Sequence, residues 1–326
     1  MRKPTHLLLL TGMFFSMMEA NAQGCSDAGV CTAGPIGELE IPTDTTTATN
    51  VNRHYARMTF SYAVGEQRTT ILMAVAELGF SITDRLGFSL RLPYQSAEGN
   101  LGSHSGVGDP VITASYAFIK QEGRRLDGML GVKLNSNNAD AMWDGFSIDQ
   151  VPRGLPMPYQ TSLGTTDLLL GMNYRHKRWS GALALQLPVH QANENTFTHA
   201  SWGQDPAALG YFESAYLERA ADAVARIQYR IPWKRFAVQP GLLAIQHLGK
   251  DSRLIAVPTM DMTMPQRVEI DGSEGLTLNL TIDAGYRLND RWTAELAYGS
   301  PLIVREERPD GLTRSMVLNA GLRYAF

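Results

Sequence analysis

Charged side chains at alternate positions of extended segments are the first candidates for chemistry in this sequence. Alternate residues of an extended chain point to the same side, so these charges share one face with glycine, serine, threonine and asparagine. Both signs occur, and two interpretations stay open: ion pairs that brace a wall, or a charged constriction that selects polar solutes. The set is Arg57, Glu77, Arg91, Lys133, Arg175, Arg226, Arg230, Asp283, Arg287, Glu295 and Arg323.

Hydrolytic chemistry has weaker support in the sequence. His104 and Ser105 are adjacent, and adjacent side chains of an extended chain point apart, so they form no nucleophile–base pair. His190, His199 and His247 carry no local catalytic signature, and no metal-ligand spacing occurs. We therefore expect no enzyme activity, no cofactor and no metal.

The two cysteines, Cys25 and Cys31, lie close together near the N-terminus. In an oxidising compartment they could close a short disulfide loop, which is the preferred interpretation. Cys25 could instead carry a lipid, although the preceding residues 22–24 lack the leucine that is usual in lipoprotein signals.

The N-terminus has the three regions of a secretory signal. Arg2 and Lys3 precede an apolar run from Leu7 to Met18, and small residues follow at 20–22. The run is shorter than the roughly 20 residues that a membrane-spanning helix needs. We predict a signal peptide over residues 1–22, and over 23–51 a periplasmic lead-in, rich in threonine, glycine and proline, that could plug a lumen.

Composition narrows the function classes. The 326 residues include 29 basic and 32 acidic side chains and carry a net charge of -3, with no basic run. Nucleic acid is therefore not an expected partner. No later stretch has the apolar length of a transmembrane helix, so a secreted chain is either soluble or spans a membrane as a closed barrel.

Period-two alternation favours the barrel. Roughly twelve segments alternate apolar with small or polar residues, most clearly Leu276–Leu288, and the last, Leu312–Phe326, ends on an aromatic residue. Such a final strand resembles the closing strand of bacterial outer-membrane barrels, where it is also a signal for the insertion machinery. We predict an all-β, transmembrane antiparallel barrel of about 12 strands over residues 52–326.

Connection lengths support the same architecture. Short connections such as 83–85 and 289–291 alternate with long ones such as 96–106, 136–164 and 191–217. Bacterial barrels have short periplasmic turns and long external loops, so both termini are predicted to be periplasmic. Two segments depart from the pattern. Tyr211–Ile227 could contain a helix, and Pro240-Gly241 suggests a bulge or kink.

The long connections are unusually apolar. Exposed apolar clusters indicate either a binding site above a lumen or loops that pack on one another. At 260–264 methionine occupies every second position, which favours a strand extension over copper binding. The candidate ligand-binding residues are Met142, Trp143, Phe146, Trp202, Tyr211, Phe212, Met260 and Met262.

Three short motifs carry a family resemblance: Gly106-Val107-Gly108-Asp109, Leu163-Gly164-Thr165-Thr166-Asp167 and Asn193-Glu194-Asn195. They resemble outer-membrane transporters of the phenol-degradation meta-pathway type, which are distantly similar to long-chain fatty-acid transporters. The resemblance covers most of the mature chain, although Lys133-Leu134 leads into residues 135–137 (Asn-Ser-Asn) rather than the Pro-Thr-Gly turn of the family.

The resemblance implies an uptake channel in the outer membrane of a Gram-negative bacterium, with membrane lipid, a small-molecule substrate and the insertion machinery as partners. Together with the apolar loops, it leads us to expect passive uptake of small, hydrophobic or aromatic molecules. The alternatives are a structural or surface-binding barrel whose loops bind ligands and, with less support, an outer-membrane hydrolase.

Overall fold

The computed structural model describes residues 54–145, 152–258, 263–311 and 317–326. Within these ranges there is no α-helix, and two 3₁₀ turns occur at Glu66–Arg68 and Met157–Tyr159. No helix in the described part of the chain has the length and apolar character needed to span a bilayer. The strands are β1 (His54–Val64), β2 (Thr70–Ser81), β3 (Leu86–Gly99), β4 (Gly102–Val107), β5 (Val111–Gln121), β6 (Arg124–Lys133), β7 (Thr165–His176), β8 (Trp179–Gln191), β9 (Asp222–Tyr229), β10 (Ile231–Trp233), β11 (Phe236–His247), β12 (Ser252–Pro258), β13 (Thr263–Glu269), β14 (Gly275–Arg287), β15 (Trp292–Ile303) and β16 (Val317–Ala325).

The predicted closed antiparallel barrel is confirmed. β16 pairs with β1 and closes the sheet, with Leu322 opposite Met58. The wall follows chain order, and β9 with β10 together count as one of its twelve strands. β4 folds back on β3, so the connection predicted at 96–106 is largely a strand pair, and β12 and β13 form a separate hairpin.

Alternation separates an apolar outer face from a small and polar inner face. In β14, Leu280, Ile282 and Tyr286 are exposed, whereas Thr277 and Asn279 are buried. The same arrangement recurs around the barrel, with large apolar side chains exposed on the outside of most strands. A wall that is apolar outside and polar inside fits lipid around it, because a soluble barrel would present the opposite faces to water.

Both described ends of the chain lie at the end of the barrel that carries the tight turns, which we call the turn end; the opposite end is the loop end. The Phe326 N–H donates to the His54 carbonyl oxygen over 3.0 Å. Aromatic rings gather at the turn end, including Trp179 on Tyr229 and Tyr324 between Trp292 and Phe326. Such a girdle suits a membrane interface. The assignment of the turn end to the periplasm, and the role of Phe326 in insertion, stay predictions.

The predicted helix within Tyr211–Ile227 is wrong. Its backbone is instead tied to other connections: the Ser214 and Tyr216 N–H groups donate to the carbonyl oxygens of Phe197 and Asn195. Residues from Asp222 onward form β9. Alanine and glutamate favour a helix only weakly, and these tertiary hydrogen bonds outweigh that propensity.

Of the two alternatives predicted at Pro240-Gly241, the bulge is wrong, and the kink stays a prediction. Gln228 lies opposite Gly241 and Ile231 lies opposite Val238, so one register runs through the site without an inserted residue. Pro240 lacks an N–H and interrupts the hydrogen-bond ladder without changing the pairing. A Cβ on Gly241 would lie 2.4 Å from the Ile227 carbonyl oxygen, so glycine permits the close approach of β9.

Candidate functional site

The inner face of the barrel forms three zones between its two ends. Nearest the turns is the arginine layer, which contains the guanidinium groups of Arg57, Arg91, Arg125, Arg175, Arg226, Arg230, Arg287 and Arg323 and the carboxylates of Glu77, Asp127, Asp283 and Glu295. Above it, on one side of the wall, lies an apolar belt. At the loop end lies a network of buried charges.

Glu77 organises one side of the arginine layer. Arg57, Glu77 and Arg91 lie directly opposite one another on β1, β2 and β3. Glu77 Oε2 accepts from Arg91 Nε at 2.9 Å and Arg57 Nη1 at 3.3 Å, and Oε1 accepts from the Tyr55 hydroxyl at 2.6 Å. Arg57 Nε also lies 3.2 Å from Glu295. These contacts hold two guanidinium planes at fixed positions on the wall.

Two further carboxylates anchor the other side of the layer. Asp127 accepts from Arg125 Nε at 2.8 Å and lies 3.8 Å from Arg175. Asp283 pairs with Arg226 and accepts from Gln228 Nε2 at 2.6 Å. All the charged candidates from β1 to β16 that were predicted to face inward therefore lie on the inner face. They form several small clusters rather than one ring.

The arginine layer carries more positive than negative charge. Among the described inner-facing residues of this zone, eight guanidinium groups stand against four carboxylates. The side chains of Arg57, Arg91, Arg175 and Arg226 are 12–14% exposed, so the layer keeps some contact with solvent. A cluster with an excess of one sign attracts ions of the other sign.

The apolar belt lies on the inner face between the two charged zones. Its side chains come from the six wall strands β5 to β9 and β11, and all of them are buried. Its members are Val111, Met129, Leu169, Ala182, Ala184, Val224, Leu243 and Ile245. The belt reaches the arginine layer at Arg226, which lies directly between Ala182 and Leu243 on the neighbouring strands. Apolar contacts and guanidinium groups are thus adjacent on one wall.

The outer face of the same strands carries a separate groove of about 840 Å³. Its lining side chains, such as Tyr116, Leu130 and Leu183, point away from the lumen. Because the outer wall faces lipid, this groove is not part of the candidate path through the barrel.

Lys133 holds one half of the loop-end network. Its Nζ lies 3.1 Å from both Asp109 and Asp167 and donates to Thr165 Oγ1 at 3.0 Å. Gln186 Nε2 donates to Asp167 as well. Two of the three motifs that carry the family resemblance therefore meet at one lysine, Asp109 from the first and Asp167 from the second.

His247 and two arginines hold the other half. The His247 ring nitrogens lie 2.6 Å from Asp222 and 2.8 Å from Asp251. Arg219 lies 3.1 Å from Asp222 and 3.2 Å from Asp310.

Arg305 pairs with Asp310, and its Nη1 donates to the Ser273 carbonyl oxygen at 2.8 Å. Burial alone would raise the pKa of the Asp310 carboxyl, but Arg305 and Arg219 hold that pKa well below its usual range. Burial would likewise lower the pKa of Arg219, and Asp222 and Asp310 instead raise it. The Asp310 carboxylate and the Arg219 guanidinium are therefore charged in the folded state.

A cap with its own core covers the loop end; it comprises the described parts of residues 134–164, 192–221, 248–274 and 304–311. The Tyr159 and Tyr211 hydroxyls lie 3.0 Å apart, and Trp202 Nε1 donates to the Gly154 carbonyl oxygen at 2.8 Å. Burial raises the pKa of Tyr211 well above its usual range. Phe197 and Leu155 complete the centre of this core. The loop aromatic residues thus pack on one another.

The loop candidates occupy different environments within this cap. Trp202 and Tyr211 are buried in the core, Trp143 packs against it, and Phe212 is half-buried. Met142 is exposed. Phe146, Met260 and Met262, like Cys25 and Cys31, lie outside the described residues, and Thr263 and Met264 belong to β13. Ligand binding by the loop residues stays a prediction.

Sequence reasoning missed most of the loop-end network. Lys133 was identified as inward-facing, but Arg219, Asp251, Arg305 and Asp310 lie in connections whose packing alternation does not predict. The sequence signal that could have indicated this network was the pair of aspartates, Asp109 and Asp167, in two of the short motifs.

No protein-family model matches the chain, and no curated protein matches its sequence. Solved structures do match. A crystal structure of an outer membrane channel from Pseudomonas putida F1 has a TM-score of 0.54 and 16% identity, over 88% of this chain and 100% of that one. The KdgM porin (TM-score 0.42, 9% identity, 83% and 99% of the two chains) and the NanC porin (0.45, 7%, 83% and 100%) are more distant.

The likeness to the Pseudomonas channel shows the fold, that of an outer-membrane β-barrel. The apolar outer wall and the aromatic girdle agree with this class. The chain is thus an outer-membrane protein in contact with membrane lipid. Membership of the phenol meta-pathway type family stays a prediction.

Proposed function

We propose that this protein is an outer-membrane channel for the passive uptake of small hydrophobic or aromatic molecules. The observation that carries the proposal is the apolar belt on the inner face of β5 to β9 and β11. A water-filled pore has a polar interior, whereas these buried apolar side chains contact one another on the inner face. An apolar solute that passes between them replaces those contacts without needing full hydration.

The cap supports the same proposal. Its aromatic core and the charged network beneath it cover the loop end, where hydrated solutes would otherwise enter. A channel that is covered in this way favours solutes able to make apolar contacts over sugars and salts of similar size.

Uptake by a Gram-negative host that produces the full chain tests the proposal. We expect faster uptake of a labelled aromatic alcohol than in cells without the protein, and little change for a sugar of similar size. Ala184→Trp fills the belt and should reduce the aromatic uptake about tenfold. Ala320→Trp places the same side chain on the exposed outer wall and is the matched control.

Equal loss of uptake in both variants, or aromatic uptake no faster than in control cells, would contradict the proposal. Absence of uptake together with absence of conductance in planar bilayers would favour the alternative, a structural or surface-binding barrel.

A further inference from the structure

We propose that the outer wall of β3, β5 to β9 and β11 binds an anionic glycerophospholipid, with its acyl chains in the groove of about 840 Å³ and its phosphate group at the turn end. The site lies outside the lumen, so this inference is independent of the proposed function. Its basis is the juxtaposition of two features of the same strands, an apolar groove and a rim of exposed basic side chains.

Small residues on the outer face produce the groove. Ala225 of β9 lies directly between Leu183 of β8 and Ala244 of β11, so small side chains adjoin a large exposed leucine. Nearer the turn end, a Cβ on Gly128 would lie 2.5 Å from Phe118 Cε2, which shows that the phenylalanine ring rests on the glycine. The volume is within the roughly 300–1,000 Å³ of small-molecule sites. A ligand can therefore sit in the wall rather than only touch it.

The lining of the groove identifies the part of a lipid that it accepts. Among the described residues, no charged side chain lines it. The amide of Gln246, its most polar side chain, donates to the His247 carbonyl oxygen at 3.1 Å. Such a surface gains free energy only from apolar contacts. Because the outer wall faces the hydrocarbon of the membrane, acyl chains are the apolar groups that reach it.

A basic rim lies at the turn end of the same strands, in and beside the turns β2–β3, β5–β6, β7–β8 and β10–β11. It consists of seven exposed cations, Arg85, Lys120, Arg124, Lys177, Arg178, Lys234 and Arg235. The exposed acidic residues of these turns are two, Asp84 and Glu122. The turn between β14 and β15, on the other side of the barrel, carries one charge of each sign, Asp290 and Arg291. The positive charge thus lies on the side that carries the groove.

Hydrogen bonds place the basic rim next to the groove. Arg85 Nη1 donates to the carbonyl oxygen of the groove residue Phe118 at 3.5 Å. Arg124 is on the same face of β6 as Gly128, and its Nε donates to the Tyr174 hydroxyl at 3.4 Å. The four residues from 124 to 128 span roughly 13 Å of strand. One lipid molecule can therefore contact both features, with its chains in the groove and its phosphate at the rim.

The charge of the basic rim selects among phospholipids. Within the described ranges, none of its seven cations forms an ion pair with a carboxylate, and the printed partners of Arg85, Lys120 and Arg124 are uncharged oxygen atoms. Guanidinium and ammonium groups donate strong hydrogen bonds to phosphate. A zwitterionic headgroup adds an ammonium group that the rim repels, whereas phosphatidylglycerol adds only hydroxyl groups. The rim therefore favours lipids with a net negative charge.

Native mass spectrometry of the full chain in detergent provides the first test. Dioleoyl phosphatidylglycerol and dioleoyl phosphatidylcholine share their acyl chains and differ in headgroup charge. We expect phosphatidylglycerol to bind about fivefold more tightly or better, with a smaller preference at high salt. Equal affinity, or preference for phosphatidylcholine, would overturn the inference.

A change in the basic rim provides the second test. Arg124→Gln should weaken phosphatidylglycerol binding about fivefold, because one cation beside the headgroup is lost. Arg291→Gln is the matched control, because Arg291 lies at the turn end away from the groove and its Nη1 donates to the Tyr324 hydroxyl at 3.2 Å, as Arg124 does to Tyr174. Equal weakening in both variants would contradict a site at the rim.

A change in the groove provides the third test. Ala225→Trp fills the groove and should weaken the binding of both lipids about tenfold. Ala320→Trp, on the outer wall of β16 away from the groove, is the control. Heat-modifiable gel mobility establishes that each variant is folded. Unchanged binding in Ala225→Trp, displacement of phosphatidylglycerol by lipopolysaccharide, or a lipid-free dimer of the wild-type chain would overturn the inference.

Discussion

Two charged zones of one barrel differ in their burial and in the balance of charge among the described residues. In the loop-end network, Lys133, Arg219 and Arg305 are 1–3% exposed, and each contacts at least two aspartates. Its four cations, counting a His247 that contacts carboxylates at both ring nitrogens, face five aspartates. The arginine layer is more exposed to solvent, and among the described residues it holds eight guanidinium groups and four carboxylates.

The difference in burial indicates a structural role for the charges of the loop-end network. A buried ion pair costs desolvation, so it is retained only when both partners are nearly fully compensated. The loop-end network meets that condition and joins connections that are distant in sequence, as Arg219 and Asp310 do. The side chains of the arginine layer for which exposure is given above are less deeply buried, so their charges cost less desolvation.

Removing one carboxylate from the loop-end network should have the largest effect. Asp310→Asn leaves Arg219 and Arg305 buried beside a neutral group and should destabilise the cap by about 3–5 kcal/mol. Thermal unfolding of the detergent-solubilised protein should begin at lower temperature, and conductance in planar bilayers should rise. Lys250→Gln, which removes an exposed pair with Asp271, is the control and should change neither quantity.

A stable cap after Asp310→Asn would contradict the structural role of the network. It would also remove the contrast between the two zones.

The loop-end network should also respond to low pH through its carboxylates. Burial would raise the pKa of Asp310, but Arg305 outweighs it and lowers that pKa. The stability that Asp310 gives the folded cap is therefore present above the unfolded pKa of about 3.9. It is lost as pH falls through the lower pKa of the folded state. We therefore expect constant conductance as pH falls from neutral to about 4, and a rise only below it. Arg219, with a raised pKa, stays charged throughout this range.

The rise in conductance at low pH should be absent in Asp310→Asn, because the conductance of this variant is already high at neutral pH. An acid transition of the same size in the variant would assign the response to another group.

The two zones also differ in how far the sequence predicts them. Arg57 and Arg91 could be assigned to the inner face because side-chain direction in a strand is a local property with a period of two. The partners of His247 and Arg305 depend on how separate connections fold over one another, and no local pattern encodes that packing. The helix expected within Tyr211–Ile227 failed for the same reason, since contacts with residues near Phe197 determine its backbone.

A substitution within the arginine layer should have a smaller effect on stability and a larger one on selectivity. Asp283→Asn removes the carboxylate from Arg226, where both side chains are 13% exposed, and should cost about 1–2 kcal/mol. The substitution removes one negative charge from the inner face, so the selectivity for chloride over potassium, measured from reversal potentials in planar bilayers under a potassium chloride gradient, should increase. A decrease, or a stability loss as large as that of Asp310→Asn, would show that both zones serve the same structural purpose.

The smallest expected effect concerns an uncharged contact of the cap. Tyr159→Phe removes the hydroxyl that contacts the Tyr211 hydroxyl and accepts from the Leu101 N–H at 3.1 Å, and should cost about 1 kcal/mol. Tyr216→Phe, at an exposed position of the same cap, is the control. The substitution keeps the aromatic ring at position 159 and its packing. Conductance should therefore stay at the wild-type level while the unfolding temperature falls slightly. A rise in conductance as large as that of Asp310→Asn would mean that the hydroxyl contacts, rather than the buried charges, hold the cap closed.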